Sequence, residues 1–291
     1  MFIIKNRILR KEGKWGMTLK ENVLMEKLVK IENNNYTLEN EENYFTIAIE
    51  MMENIGSIDP KLRDELIYGT LAHWIPENRF TYEQLENLLS ISLDRIHLFY
   101  KISEDDEDSV FKRTFSVLIV ALIIYVHRKE NFLSKEILFE VKDKLIEYML
   151  EERDLRGYVE VKGWAHSVAH AADALDELVQ CSCFNKNDLI DILNSIKDKV
   201  CIGYYVYIDE ESERMVTVLE SLFNRKIISD SEIVDWLQWF KIKNPKDSYI
   251  YNYHLKVNIK GFMRSLYFRL LEKDSSNFII EEIKKILTIY N

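Results

Sequence analysis

Two histidines one helical turn apart are the residues of this chain whose spacing most clearly suggests chemistry. His166 and His170 belong to the stretch 164–179, which reads WAHSVAHAADALDELV. Imidazoles at positions i and i+4 of a helix can both reach one metal ion, and carboxylates can orient the rings. On a helical projection, Asp173 and Glu177 follow the histidines on the same side. These four residues, called the histidine stripe below, are expected to form a metal, acid–base or binding site.

Helix geometry limits what the histidine stripe can do. With a rise of 1.5 Å per residue, His166 and Asp173 lie about 10 Å apart along the helix axis, so the four side chains cannot easily share one ion. A metal would need a third ligand from elsewhere in the chain; alternatively, His170 and Asp173 form a hydrogen-bonded pair. The glutamate of the zinc-protease pattern is also missing, because Ser167 follows His166. We therefore assign no metal and no cofactor, and His166 and His170 are kept only as candidate metal ligands.

Small residues flank the histidine stripe, so neighbouring elements can approach it closely and the stripe can line a groove. They are Ala165, Ser167, Ala169, Ala172 and Ala174. A helix over 164–179 would place Trp164 on the opposite, core-facing side. Its companions on that side would be Val168, Ala171, Leu175 and Leu178. A structural histidine network without a ligand remains an alternative to the groove.

The loop before this stretch contains two of the eight glycines, Gly157 and Gly163. In a chain so poor in glycine, the pair marks a loop that delivers the backbone into the helix and brings Arg156 to the groove rim. The predicted binding residues are His166, His170, Asp173, Glu177, Arg156 and Trp164. The sequence identifies no catalytic residue.

Three stretches carry a family resemblance. The run 153–179, RDLRGYVEVKGWAHSVAHAADALDELV, resembles the signature of an uncharacterised bacterial family, domain of unknown function 2785. The stretches 207–223 and 262–271 resemble other blocks of that family, and the likeness covers most of 20–290. The resemblance implies an all-helical cytoplasmic protein and no particular activity. The first run is also similar to a HEAT repeat, in which Asp-x-Arg-Gly precedes Gly-Trp and a helix.

The elements that must position the stripe are predicted to be helices. Only 8 glycines and 3 prolines occur in 291 residues, which argues against the many turns of a sandwich, barrel or propeller. Capping-box spacings begin at Thr18, Thr81 and Ser229, and Ser134 is another candidate cap. About twelve helices are expected. Helix pairs laid end to end favour an all-α, HEAT-like α/α superhelix, and a closed α/α toroid is the alternative.

The net charge and the distribution of apolar residues restrict the classes of partner that the protein can bind. The formal charge of −10 argues against nucleic acid or an anionic membrane as the main partner, because both require a concentrated basic surface. The longest apolar run, 115–126, is shorter than the roughly 20 residues that span a bilayer and is expected to form a buried core helix. Three cysteines without a secretory leader indicate a reducing cytoplasm.

The first sixteen residues differ from the rest of the chain. They hold five basic residues and one acidic residue, and we expect Met17 to be the natural start and 1–16 to be a non-native or disordered leader. Without them, 34 basic and 48 acidic residues leave a formal charge of −14 on 17–291. No flexible linker divides that segment, so it is predicted to be a single all-helical domain.

The sequence favours a cytoplasmic binding protein whose groove is lined by the histidine stripe, with a protein or small molecule as its partner. The alternative is a metal-dependent hydrolase or lyase that uses His166 and His170.

Overall fold

The computed structural model describes residues 17–39, 42–102, 104, 106, 108–241, 246–271 and 277–290. The predicted leader, 1–16, lies outside the described residues. Twelve α-helices form within them: α1 Leu19–Asn33, α2 Tyr44–Glu53, α3 Gly69–Trp74, α4 Tyr82–Ser92, α5 Ser109–Glu130, α6 Lys135–Glu151, α7 Ser167–Val179, α8 Lys186–Val200, α9 Glu211–Asn224, α10 Asp230–Leu237, α11 Tyr249–Leu271 and α12 Asn277–Ile289. A π-helical segment, Lys61–Tyr68, leads into α3, and a 3-10 turn, Gln238–Phe240, follows α10. The all-α prediction is confirmed.

Local signals set where several helices begin. Thr18, Thr81 and Ser229 each form the predicted capping box, in which the cap side chain and the carboxyl or amide three residues later satisfy backbone amides reciprocally. The Ser134 hydroxyl accepts a hydrogen bond from the backbone amide of Ile137 at the start of α6. These caps depend on neighbours within one turn, so the sequence reveals them directly.

The apolar run 115–126 lies inside α5, which is confirmed as a core helix. α5 has the length and apolar composition of a membrane-spanning helix, with a mean hydropathy of 1.8 over its most apolar window, but 78% of that window is buried inside the protein. The main hydrophobic cluster extends from Leu24 in α1 to Tyr290 after α12. α5 contributes more buried residues than any other helix among the described residues.

The helices pack against partners two places along the chain. α7 makes its most extensive contacts with α5 and α9, and α9 continues this row to α11. α6 contacts α8, and α10 contacts α12, beside that row. A continuous row with helix pairs beside it is compatible with stacked helix pairs, while the superhelical twist and the closed toroid both stay predictions. The row α5–α7–α9 is the part of the fold that positions the histidine stripe.

Candidate functional site

The helix that carries the stripe begins later than the sequence predicted. α7 starts at Ser167, whereas Gly163–Trp164 form strand β2 of a hairpin with strand β1, Tyr158–Val159. The hairpin is continued by hydrogen bonds from the amides of Ala165 and His166 to the carbonyls of Gly157 and Arg156, both 2.9 Å long. Gly163 and His166 have φ angles of +79° and +48°, which a right-handed helix cannot include. A helix over 164–179 was therefore wrong at its first three residues.

Trp164 consequently does not lie on the core face. Its residue surface is 41% exposed, and its ring makes an edge contact with Tyr158, with 5.2 Å between the ring centroids. The other four predicted core residues of α7 are buried as expected: Val168, Ala171, Leu175 and Leu178. The small residues beside the stripe are buried too, and they allow α5 and α9 to pack closely on α7.

The two glycines of the loop allow close contacts that a side chain would block. A Cβ atom on Gly157 would lie 1.9 Å from a carboxylate oxygen of Asp209, and that same oxygen accepts a 3.2 Å hydrogen bond from the amide of Tyr158. A Cβ atom on Gly163 would lie 2.9 Å from Cβ of Pro60. Gly157 thus lets the loop before α9 pack against the hairpin, and Gly163 lets the hairpin pack against the start of the π-helical segment.

His166 sits at the junction of the hairpin, α7 and the loop before α9. Its Nε2 donates a 2.6 Å hydrogen bond to the carbonyl oxygen of Asp209, and its ring stacks on Trp164 with 4.8 Å between the centroids. Because a carbonyl only accepts, Nε2 carries a proton and Nδ1 is the nitrogen left for a ligand. A carboxylate oxygen of Glu211 lies 3.9 Å from Nε2, and the Glu211 side chain is 1% exposed.

His170 is held by α5. Its Nδ1 is 2.9 Å from the hydroxyl of Thr114, and its ring makes an edge contact with Phe115. Burial, together with the smaller effect of the nearby His166, lowers the pKa of His170 to about 3. His170 is therefore a neutral imidazole at physiological pH, able to donate or accept a hydrogen bond.

The acidic half of the stripe is paired with arginines from both neighbouring helices. Asp173 accepts a 2.8 Å hydrogen bond from Arg214 of α9, and Glu177 accepts one from Arg128 of α5. Burial raises the pKa of Asp173 although Arg214 opposes the shift. The predicted alternative of a hydrogen-bonded His170–Asp173 pair was therefore wrong, because each residue instead bonds to a different neighbouring helix. The stripe lies along the seam where α7 meets α5 and α9.

Arg156 is directed to another part of the surface. Its guanidinium contacts both carboxylate oxygens of Asp154, at 2.8 and 2.6 Å. With Arg113, Glu152 and Arg153, it lines a cavity of about 310 Å³. Arg156 is connected to the stripe through its backbone, since its carbonyl accepts a hydrogen bond from the amide of His166.

Sequence reasoning missed two buried arginines, of which Arg63 binds the hairpin directly. Arg63 is 0% exposed, and it donates to the carbonyls of Ser57 and Lys162 at 2.8 and 2.6 Å. Arg113 forms a bidentate pair with Glu152 at 2.7 and 2.8 Å, and both side chains are at most 3% exposed. Arg63 contacts Lys162 across 99 positions, and Arg113 contacts Glu152 across 39. No local pattern could have revealed contacts of such separation.

An exposed apolar surface adjoins His166. It consists of Tyr158, Val161 and Trp164 on the hairpin and Ile208 before α9, and it is called the hairpin face below. Their exposed fractions are 58%, 63%, 41% and 75%. Ile208 directly precedes Asp209, which contacts both the hairpin and His166, so its backbone lies next to the hairpin.

The geometry around the two histidines offers little to a metal ion. Their ring centroids are 5.6 Å apart, and Nε2 of His166 is engaged by a carbonyl. Within the part of the chain that the structure describes, no group of three His, Cys, Asp or Glu side chains is placed to hold a metal. The outside third ligand that the sequence required is not supplied by the described residues.

Residues 98–268 match the sequence profile of the family described as Protein of unknown function (DUF2785). The chain belongs to this family. The predicted family is confirmed over a shorter span than the expected 20–290: the DUF2785 match extends from the segment before α5 into α11, so it includes the hairpin face and the histidine stripe. No curated protein and no solved structure matches the chain.

Proposed function

We propose that the protein is a binding module whose contact surface is the hairpin face together with the adjoining histidine stripe. The observation that carries this proposal is the exposure of four large apolar side chains near His166, three on the hairpin and Ile208 in the loop before α9. Clustered exposed apolar residues at a folded surface are typical of interaction sites. Tryptophan and tyrosine also contribute much of the binding energy in many interfaces.

The hairpin face is held rigid by contacts that no ligand has to form. Trp164 stacks on His166, which donates to Asp209, and the Asp209 carboxylate accepts the amide of Tyr158. Arg63 binds the carbonyl of Lys162 on the hidden side of the hairpin. A surface fixed before binding loses less conformational entropy when a partner arrives.

The polar groups beside the hairpin face favour hydrogen bonding over charge attraction. His170 is neutral at physiological pH because its pKa is lowered, and the carboxylate of Asp173 is paired with Arg214. We infer that the ligand presents an aromatic or apolar group to Trp164 and Tyr158, and a hydrogen-bonding group toward the stripe. A protein segment and a small molecule both have this chemistry.

A metal-dependent hydrolase or lyase that uses His166 and His170 has less support. Such an enzyme needs at least one further ligand and a free ring nitrogen directed at the ion from each histidine. Elemental analysis of protein from metal-replete cells tests this function. A stoichiometric transition metal that is lost in the His166→Gln variant would favour the enzyme over the binding module.

The setting of this function is also a proposal. Alternating rows of helices support a HEAT-like superhelix, and three free cysteines agree with a reducing cytoplasm. A bacterial origin rests only on the family resemblance. Neither a bilayer nor duplex nucleic acid is proposed as a partner of the hairpin face.

Saturation-transfer NMR with a defined set of probes tests the binding module. We would use indole, p-cresol and benzamide, with glycine amide as a probe that lacks an aromatic ring. The proposal expects saturation of the aromatic probes by wild-type protein and its loss in the double variant Tyr158→Ala, Trp164→Ala. Trp239→Ala is the matched control, because Trp239 is 70% exposed but lies outside the hairpin face. Equal loss in the control, or no loss in the double variant, would contradict the proposal.

A further inference from the structure

A second candidate surface lies on α11, a helix without acidic residues in an otherwise acidic chain. The 23 residues of Tyr249–Leu271 include no Asp and no Glu, although the chain has 49 of them and a formal charge of −10. One side of the helix is buried through Leu255, Ile259, Phe262 and Leu266. The basic residues on its remaining surface are therefore not neutralised by any neighbour on their own helix.

The side of α11 next to the buried one presents aromatic and basic residues in one row, in which Lys256 and Lys260 are half-buried. Tyr249 and Tyr253 are 78% and 53% exposed, and their rings stack with 6.3 Å between the centroids. Lys256, Lys260 and Arg264 follow at intervals of three or four residues, which places them on the same side of the helix. These five residues form the basic face of α11, which is about 22 Å long.

The cations of this face have no partner in the part of the chain that the structure describes. Lys256, Lys260 and Arg264 form no hydrogen bond or ion pair with any residue that the structure describes, and Arg264 is exposed. Arg269 of the same helix behaves differently, since it binds Glu213 and Glu220 of α9. Arg269, which faces α9, is thus neutralised by acidic residues of that helix, whereas the cations of the basic face are not neutralised by any described residue.

Apolar side chains lie beside the basic face. Ile250 and Phe268 are 58% and 62% exposed, and Leu271 is 48% exposed at the end of the helix. A partner that covers this surface must therefore offer apolar contacts and negative charge along the whole helix, which is about 33 Å long. An amphipathic helix with acidic residues has this composition and length.

We propose that the basic face of α11 docks an acidic, amphipathic helical segment of a partner protein. Charge complementarity carries this choice: three cations without a partner among the described residues lie in a row, and the aromatic and aliphatic side chains beside them match the apolar stripe of such a helix. Duplex or single-stranded nucleic acid fits less well, because it offers no aliphatic surface to Ile250 and Leu271. An anionic membrane fits less well, because a helix in a membrane interface inserts its apolar face into lipid, whereas the apolar face of α11, with Leu255, Ile259 and Phe262, is buried inside the protein.

Binding of labelled peptides to the full chain tests this proposal. The probe is a fluorescein-labelled synthetic helix of about 22 residues with Leu and Phe at helical spacing and Glu between them, measured by fluorescence anisotropy. The triple variant Lys256→Glu, Lys260→Glu, Arg264→Glu should weaken binding about tenfold or more. The matched control, Lys20→Glu, Arg95→Glu, Lys135→Glu, makes the same charge change at exposed residues elsewhere and should leave binding nearly unchanged.

Charge exchange gives the sharpest readout. The triple variant should gain affinity for a second peptide in which every Glu is replaced by Lys, a gain that misfolding could not produce. Equal weakening in the matched control would overturn the proposal, because the peptide would then be attracted by the overall charge of the protein and not by the basic face. Tighter binding of oligouridine or of phosphatidylglycerol vesicles than of the acidic peptide, lost in the triple variant, would also overturn it in favour of nucleic acid or membrane. Self-association that the triple variant abolishes would assign the face to a second copy of this chain.

Discussion

Lowering the pH should destabilise the protein through His170. Burial lowers the pKa of His170 in the folded state to about 3, whereas an exposed histidine has a value of 6.5. In the window between these two values the unfolded chain binds a proton that the folded protein excludes. Stability contributed by the neutral ring is therefore present above pH 6.5 and is lost progressively as the pH falls toward 3.

The expected size of this effect follows from the two pKa values. At pH 7 both states are mostly unprotonated at this residue, and at pH 5 only the unfolded state is protonated. The linkage relation then gives a loss of about 2 kcal/mol in the free energy of unfolding between pH 7 and pH 5. Such a loss is a substantial part of the stability of an ordinary domain.

Urea denaturation, monitored by circular dichroism, measures this loss. The His170→Gln variant is the reference, because glutamine keeps a polar side chain near Thr114 but does not titrate. The difference in unfolding free energy between wild type and variant should shrink by about 2 kcal/mol from pH 7 to pH 5. Other histidines, including His127, contribute to both proteins and cancel in the difference.

A difference that stays constant between pH 7 and pH 5 would refute the reasoning. It would mean that the His170 ring is hydrated in the folded protein and titrates as it does in the unfolded chain. The seam between α5 and α7 would then be open to water at Thr114 and not closed as described.

Three further changes test the contacts around the hairpin. Glu152→Gln leaves the buried guanidinium of Arg113 without its charge partner and should lower the free energy of unfolding by about 3–5 kcal/mol in urea; a loss below about 1 kcal/mol would contradict the burial of the pair. Gly163→Ala forces a side chain into a residue with φ of +79° and should cost about 1–2 kcal/mol or more, measured by thermal unfolding, whereas unchanged stability would mean that the turn adopts another conformation. Burial raises the pKa of Asp64 to about 6. The protonated Asp64 therefore stabilises the fold fully below pH 3.8, and this stabilisation is lost as the pH rises through 6. Wild type should lose stability relative to Asp64→Asn across that window, and parallel pH profiles of the two proteins would contradict the shift.

The features that the sequence predicted well are those that depend on nearby residues. Capping boxes at Thr18, Thr81 and Ser229 involve partners three residues away, and the apolar composition of α5 is a property of one segment. The polar stripe was also predicted for Asp173 and Glu177, because both lie within α7. Helical spacing alone is enough for such residues.

The hairpin could not be predicted in this way, because distant contacts decide its conformation. The apolar spacing of 164–179 is compatible with a helix that starts at Trp164. The left-handed conformation of His166 instead accompanies a hydrogen bond to Asp209, 43 positions along the chain. Arg63 fixes the carbonyl of Lys162 from another helix. The two glycines gave a correct local signal, but the close contacts they permit become visible only in the folded protein.

The same difference explains the partners of the stripe. The spacing of His170 and Asp173 allowed a direct pair within one helix, but Thr114 and Arg214 from neighbouring helices take those positions. The sequence located the polar residues correctly and could not determine which helices would face them.

Fluorine NMR of protein labelled with 5-fluorotryptophan tests the central claim, that the hairpin face is a binding surface. The chain has five tryptophans, and the Trp164 and Trp239 signals are assigned by replacing each with phenylalanine. Both residues are exposed, but only Trp164 stacks on His166 within the hairpin face. Titration with indole should shift the Trp164 signal in a saturable manner and leave the Trp239 signal in place. Equal, non-saturating shifts of both signals, or a response from Trp239 alone, would contradict the account.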